Sequence, residues 1–371
     1  MTILYDFEDC RATWSYKSLL GPGQVLCGEY VRIFGKSPSN PISKPLGTIY
    51  DEEKEQWIVA DSGNNALRLF GMSSDAGDVV TAPQLKNPSA LAIWNPGKEV
   101  AVLDETNIRI FDQRSGRFIT IADVNNCRGL GVTDGGEFVT IQYNRNGSEI
   151  VFYSPEMPNQ VLCRSPYVIN KAASNLAPKP CFLDISHNKV CVTDLGVNGF
   201  SIYDLELETL HMELRSQEVL PGATDGNFQF ISGVKFDKND ELLIADASGY
   251  KLQYFDREGR FLHRVRFSDG FLYASSLALN SKHQLLACDR IKGTLKLYQL
   301  KGANPDTIIE QPSMKSFRNQ KNDLDNLNRN GGRLTDFRST DKIDPRKNAA
   351  HFDGYGYANN NHDWSNQDSE W

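Results

Sequence analysis

A unit of short apolar strands returns about every 40 to 50 residues along this 371-residue chain, and this repeat restricts the possible folds more than any other feature. In the clearest copy, apolar stretches at residues 45–50, 57–60 and 66–70 are separated by polar turns. Five further copies align with it, and no helical hydrophobic period competes. A repeat of this length is typical of propeller blades rather than of helical solenoids.

Each copy is rich in Val, Ile, Phe and Tyr and is bounded by Gly, Asn, Asp and Pro, which favours antiparallel hairpins. A single small sheet cannot bury both of its faces, so the copies must stack around a ring. The sixth copy has only three strands, whereas an unassigned strand at residues 29–34 precedes the first. The sequence therefore predicts an all-β, six-bladed β-propeller whose N-terminal strand closes the last blade.

The chain divides into three predicted regions. Residues 24–301 form the propeller, and residues 1–23 form an N-terminal extension packed on it. Residues 302–371 are dominated by Asn, Asp, Ser, Arg and Lys with few aliphatic residues, so we predict a disordered polar tail.

A recurring aspartate follows the second strand of most copies, at Asp61, Asp104, Asp194, Asp246 and Asp289. Such a carboxylate can accept hydrogen bonds from backbone N–H groups in its own turn. Glycines close to these turns, Gly63, Gly147, Gly196, Gly249 and Gly293, are the predicted carriers of the positive φ that tight turns often need.

Overall charge limits the kinds of ligand. The formal net charge of −7 argues against wholesale attraction to nucleic acid or to anionic membranes, so any nucleic-acid site must be a local patch.

The first residues resemble no signal peptide and no apolar run is long enough to cross a membrane, so we expect a cytoplasmic protein that does not bind membranes. Seven scattered cysteines without a Cys-x-x-Cys pair favour reduced thiols.

The string DSGNNALRLF at residues 61–70, preceded by Pro45 and followed by Gly71, resembles the NHL repeat, with its Pro-x-Gly start, Asp-x-x-Asn turn and apolar strand ending in Phe. Copies one, two, four and five resemble it well, copies three and six loosely, over about residues 24–301. The set is similar to the propellers of the TRIM-NHL family, which implies RNA or protein binding in post-transcriptional regulation. The family's RING, B-box and coiled coil are absent from this sequence, so ubiquitin-ligase activity is not implied and we expect a monomer.

Propeller topology places the start of each first strand and each second-to-third turn on one face, here called the top face. Basic and aromatic residues predicted there are Lys44, Lys86, Arg128, Tyr143, Arg145, Lys179, Phe230, Tyr250, Tyr273, Arg290 and Lys292. Cations for phosphates beside rings for base stacking are what single-stranded RNA binding requires. We therefore predict a non-enzymatic protein that binds single-stranded RNA, such as mRNA but not DNA, on this face. The alternative is a scaffold that binds a peptide or adaptor protein there.

Peptide-amidating lyases also use six NHL-like blades, but they need converging histidines to hold a metal. Here the histidines lie in first-to-second turns, outer strands and the tail: His187, His283, His211, His263, His351 and His362. No nucleophile, phosphate-loop or dinucleotide motif stands in a suitable context. The sequence thus predicts no enzyme activity, no catalytic residue, no cofactor and no metal, with a metal-dependent lyase as a third possibility.

Overall fold

The computed structural model describes residues 19–35, 40–72, 77–170 and 177–308, and these ranges contain 24 strands. The strand that precedes the first copy is β1 (Val25–Phe34). The strands of the first three copies are β2 (Pro45–Asp51), β3 (Gln56–Asp61), β4 (Ala66–Gly71), β5 (Asp78–Thr81), β6 (Ala90–Asn95), β7 (Glu99–Leu103), β8 (Asn107–Asp112), β9 (Arg117–Asp123), β10 (Cys127–Val132), β11 (Phe138–Asn144), β12 (Gly147–Tyr153) and β13 (Val161–Tyr167).

The strands of the last three copies are β14 (Pro180–Ser186), β15 (Lys189–Asp194), β16 (Gly199–Glu206), β17 (His211–Val219), β18 (Ile231–Phe236), β19 (Leu242–Asp246), β20 (Lys251–Phe255), β21 (Phe261–Phe267), β22 (Ala274–Leu279), β23 (Gln284–Asp289) and β24 (Thr294–Ala303). The last strand thus runs two residues beyond the predicted end of the propeller at residue 301. Within the described ranges no helix is long and apolar enough to cross a membrane.

The fold is an all-β propeller. Each of the first four copies forms a separate four-stranded sheet in chain order, whereas the strands of copies five and six join β1 in one sheet of order β18-β19-β20-β21-β1-β24-β23-β22. The innermost strand of each copy contacts that of the next, from β2 through β6, β10, β14, β18 and β22 and back to β2. The first strands of all six copies therefore surround the central axis.

The prediction of six separate sheets is wrong at one place, because β1 pairs on both of its sides. It is antiparallel to β24 from Val25 to Phe34, which is the predicted closure by the N-terminal strand. It also pairs in parallel with β21 at Cys27↔Arg266 and Gly28↔Phe267, and this short ladder fuses the two copies. Gly28 permits the second contact, since a Cβ there would lie 2.3 Å from the Phe267 ring.

Side chains from both copies hold β1 in place. Leu26 is fully buried in a core cluster that includes Leu243, Val265 and Tyr298. Its backbone N–H donates to Nε2 of His263, 3.1 Å away, and burial lowers the pKa of His263 to about 4. The neutral imidazole is therefore the form that accepts this hydrogen bond at physiological pH.

Burial patterns follow the position of each strand in its sheet. The second strands, such as β3 and β19, are buried almost throughout because neighbouring sheets cover both of their faces. Outer strands such as β13 and β17 alternate between buried or half-buried and exposed residues.

Of the predicted N-terminal extension, Leu19 and Leu20 pack against the core cluster around Leu26. Residues 1–18 and 309–371, with most of that extension and of the predicted tail, lie outside the described residues.

Candidate functional site

The second-to-third turn of a copy lies beside the start of its own first strand, because the turn aspartate bonds to both. The carboxylate of Asp194 accepts from the backbone N–H groups of Lys179 at 2.7 Å and Gly196 at 2.8 Å. That of Asp246 accepts from Phe230 and Gly249, both at 2.9 Å. These bonds place the two kinds of loop on one face, as the propeller topology requires.

The five turn aspartates are 0–2% exposed, so their carboxylates point into the turns as predicted. Asp104 Oδ1 accepts from the N–H groups of Thr106 and Asn107, and Asp289 Oδ1 accepts from Ile291 and Lys292. Burial raises the pKa of the Asp194 and Asp289 carboxyl groups. These five aspartates consequently present no carboxylate to a ligand on the top face.

In the five second-to-third turns that hold the predicted glycines, positive φ is carried mostly by other residues. Gly147 and Gly293 have φ of 137° and 61°, but in the other three turns the left-handed residue is Asn65, Asn198 or Tyr250, with φ of 50–52°. Asparagine tolerates this region because its short side chain bonds locally. In copy five the glycine that precedes the left-handed Tyr250 is needed for space, since a Cβ on Gly249 would lie 2.1 Å from Asp246 Oδ2.

Sequence reasoning missed two buried ion pairs behind the top face. Arg68 Nε donates to Asp61 Oδ2 at 2.8 Å, and Arg109 Nε donates to Asp104 Oδ2 at 2.7 Å. All four side chains are at most 8% exposed. The available signal was an arginine at the third position of two otherwise apolar strands, where a buried charge needs a partner.

The predicted cations fall into two groups by exposure. Lys44, Lys86, Arg145 and Lys292 are exposed, and they come from copies one, two, three and six. Arg128 and Lys179 are half-buried, and Arg290 is 8% exposed. The long side chains of the exposed group are therefore the ones positioned to meet a ligand in solvent.

The three less exposed cations all act on one buried thiol at the start of β14. Burial raises the pKa of Cys181, and the charges of Arg128, Lys179 and Arg290 act in the opposite direction. Cations from copies three, four and six thus lie near this strand start, together with the Asp194 carboxylate, whose charge also raises the pKa of Cys181. Tyr143 joins copies three and four there, because its hydroxyl donates to the Pro180 carbonyl.

The predicted aromatic residues are less accessible than the stacking hypothesis requires. Phe230 is 3% exposed and Tyr273 is 9% exposed, and their rings stack on each other with centroids 6.4 Å apart. Burial raises the pKa of Tyr273 to about 12. Tyr250 is half-buried and meets Tyr273 edge-on at 6.2 Å. These rings fill the junction of copies five and six, which the sequence could not distinguish from an exposed platform.

The central channel between the six first strands is narrow. Most of its lining residues are small or aliphatic, such as Gly47, Leu91 and Leu277, with Phe182 and Lys235 as the exceptions, and its cavity volume is ≈ 50 Å³. A hydroxyl contact of 2.9 Å between Thr48 and Ser276 crosses between adjacent strands. Ligand pockets usually hold about 300–1,000 Å³, so the channel can take a few water molecules but no larger ligand.

The four histidines in the described ranges lie on four different strands or turns of the fold. His187 lies 3.5 Å from Asp134 on the bottom face, the face opposite the top face, and His283 Nδ1 lies 3.1 Å from the Ser281 carbonyl. His263 bonds to β1 as described, and His211 begins β17. Within the part of the chain that the structure describes, no three His, Cys, Asp or Glu side chains are grouped to hold a metal ion. His351 and His362 lie outside the described residues.

No family model matches the chain, and no curated protein matches it. Several solved propellers resemble its structure. The calcium-binding protein regucalcin from Agrobacterium tumefaciens is 13% identical, with a TM-score of 0.53 over 77% of this chain and 97% of that chain. A protein assigned as a gluconolactonase is 13% identical, with a TM-score of 0.55 over 79% and 98%. A luciferin-regenerating enzyme is 15% identical, with a TM-score of 0.51 over 78% and 98%.

These similarities define the class of the chain as a β-propeller protein, and at such low identity they show the fold alone. They also overturn the prediction that the chain is not an enzyme. Two of the three similar structures carry the names of enzymes, so a propeller of this kind gives no reason to exclude catalysis.

Proposed function

We propose that the top face binds single-stranded RNA through its cationic side chains. In this proposal the ring has six blades, and copies five and six are adjacent blades joined by β1. One observation carries the proposal. Exposed cations from four copies share one face, while the five turn aspartates of that face are buried and bonded to backbone N–H groups. Phosphates are recognised mainly by such lysine and arginine side chains.

The resemblance to NHL repeats supplies the biological setting of this proposal. It favours mRNA as the ligand and regulation after transcription, in the cytoplasm, as the role.

A peptide or adaptor protein is the second candidate for the same face. The burial of Phe230 and Tyr273 favours it, because a peptide ligand needs no rings for base stacking.

Charge reversal on the two faces tests the RNA proposal with matched variants. The triple change Lys44→Glu, Lys86→Glu and Arg145→Glu removes exposed cations from the top face. Because each lost phosphate contact returns a counterion to the nucleic acid, we expect RNA affinity to fall on the order of 10-fold or more. Fluorescence anisotropy with a labelled single strand at low salt measures this loss.

The control triple, Lys54→Glu, Lys98→Glu and Lys238→Glu, lies in exposed first-to-second turns on the bottom face. It changes the net charge equally, so it corrects for general repulsion of RNA. We expect its affinity to stay within about threefold of the unmodified protein. Equal losses in both triples would contradict binding on the top face.

A further inference from the structure

We infer that the top face binds single-stranded polynucleotides through their phosphates without selecting a base sequence. This inference rests on the proposed RNA binding and specifies what that site recognises. Sequence is read from unstacked bases by aromatic rings, by hydrogen bonds to base edges or by pockets that take a base.

Aromatic stacking needs a ring face open to solvent. Phe230 and Tyr273 are 3% and 9% exposed, and they are packed against each other and Tyr250. Tyr143 is half-buried, and its hydroxyl is bonded to the Pro180 carbonyl. A base could stack on Phe230 or Tyr273 only if the junction between copies five and six opened.

Asparagine side chains of the top face belong to the residue types that can read base edges. Several of them already hold the turns together. Asn64 Nδ2 donates to the Pro41 carbonyl at 2.9 Å, and Asn65 Oδ1 accepts from the N–H of Asn87 at 2.8 Å. Asn198 Oδ1 accepts from the N–H of Ile231 at 3.1 Å. Reading a base with these atoms would break one bond within copy one and two bonds between adjacent copies.

Among the described residues, the space at the centre of the face is too small for a base. The channel has a cavity volume of ≈ 50 Å³, and Gly47 in its wall lies so close to β6 that a Cβ would be 2.8 Å from the Ala90 backbone. The backbones of β2 and β6 are therefore in close contact at the wall of the channel. An extruded base has no place to enter along the axis.

What the face does offer is charge at the end of long, flexible side chains. Lys44, Lys86, Arg145 and Lys292 are exposed and come from four different copies. Contacts of this kind position a strand by its backbone and carry no sequence information directly. A ligand would thus be recognised as an extended polyanion with single-stranded flexibility.

The test compares labelled single strands of about 12 nucleotides, a length within the usual site size of such surfaces, made of uridine, of cytidine or of a mixed sequence. Anisotropy titrations of the full chain at one low salt concentration give the three affinities. We expect them to agree within about threefold. A preference of tenfold or more for one sequence would overturn the inference while leaving RNA binding in place, whereas no binding of any strand would overturn both.

A pair of single substitutions gives a second readout. Tyr250→Ala should change affinity less than about twofold, whereas a base stacked on this ring would be worth roughly 5- to 150-fold. Lys292→Ala, in the corresponding turn of copy six, should weaken binding to all three strands by the same factor. A loss on Tyr250→Ala that differs between uridine and cytidine strands would overturn the inference.

Discussion

Replacing Asp61 by alanine is expected to lower the free energy of unfolding by about 3–5 kcal/mol, because it leaves a buried guanidinium without its carboxylate. Arg68 is 1% exposed and cannot reach water to recover its hydration. The same substitution removes the acceptor for the backbone N–H of Ser43 at 2.8 Å and for the Asn64 amide. Urea unfolding followed by tryptophan fluorescence measures the loss.

Two controls separate the buried charge from other effects. Glu55→Ala breaks an exposed ion pair with Lys282 and should cost less than about 1 kcal/mol. The double variant Asp61→Ala with Arg68→Met removes both charges, so it should recover part of the stability lost in the single variant. An Asp61→Ala protein as stable as Glu55→Ala would show that the Arg68 charge is not buried in solution.

The second large effect concerns the strand that joins copies five and six. Leu26→Ala should cost about 2–5 kcal/mol, because it opens a cavity in a core cluster to which β1, β19, β21 and β24 all contribute. Val31 on the same strand is 39% exposed. Val31→Ala should therefore cost less than about 1 kcal/mol. Thermal or urea unfolding compares the two variants.

The comparison bears directly on how the ring closes. If β1 packs between the two copies, Leu26 and Val31 must differ strongly although both belong to one strand. Similar small losses at the two positions would mean that β1 does not contribute to the core, and the propeller would then be open at this junction.

Much of this architecture follows from alternation in the sequence. Short strands rich in Val, Ile, Phe and Tyr, separated by Asp, Asn and Gly turns, have few ways to pack except as stacked sheets, so the sequence predicted the propeller and the pairing of the N-terminal strand with β24. The parallel ladder of β1 with β21 had no such signal. It involves two residue pairs and depends on space beside Gly28, which only the packed structure reveals.

The sequence predicted which loops form the top face but not which of their side chains are exposed. Lys44 and Phe230 occupy equivalent positions before a first strand, yet the lysine is exposed and the phenylalanine is 3% exposed. The difference arises because a neighbouring ring, Tyr273, covers Phe230. Contacts between copies more than 40 residues apart decide this, and a single sequence does not record them.

The salt dependence of RNA binding by the unmodified protein tests the proposed role of the top face most directly. If about four exposed cations each neutralise one phosphate, the logarithm of the association constant should fall with the logarithm of salt concentration with a slope of about −3. Titrations with one single-stranded RNA between about 50 and 200 mM salt give this slope. Affinity that does not change across this range, or no binding at its lower end, would contradict the account.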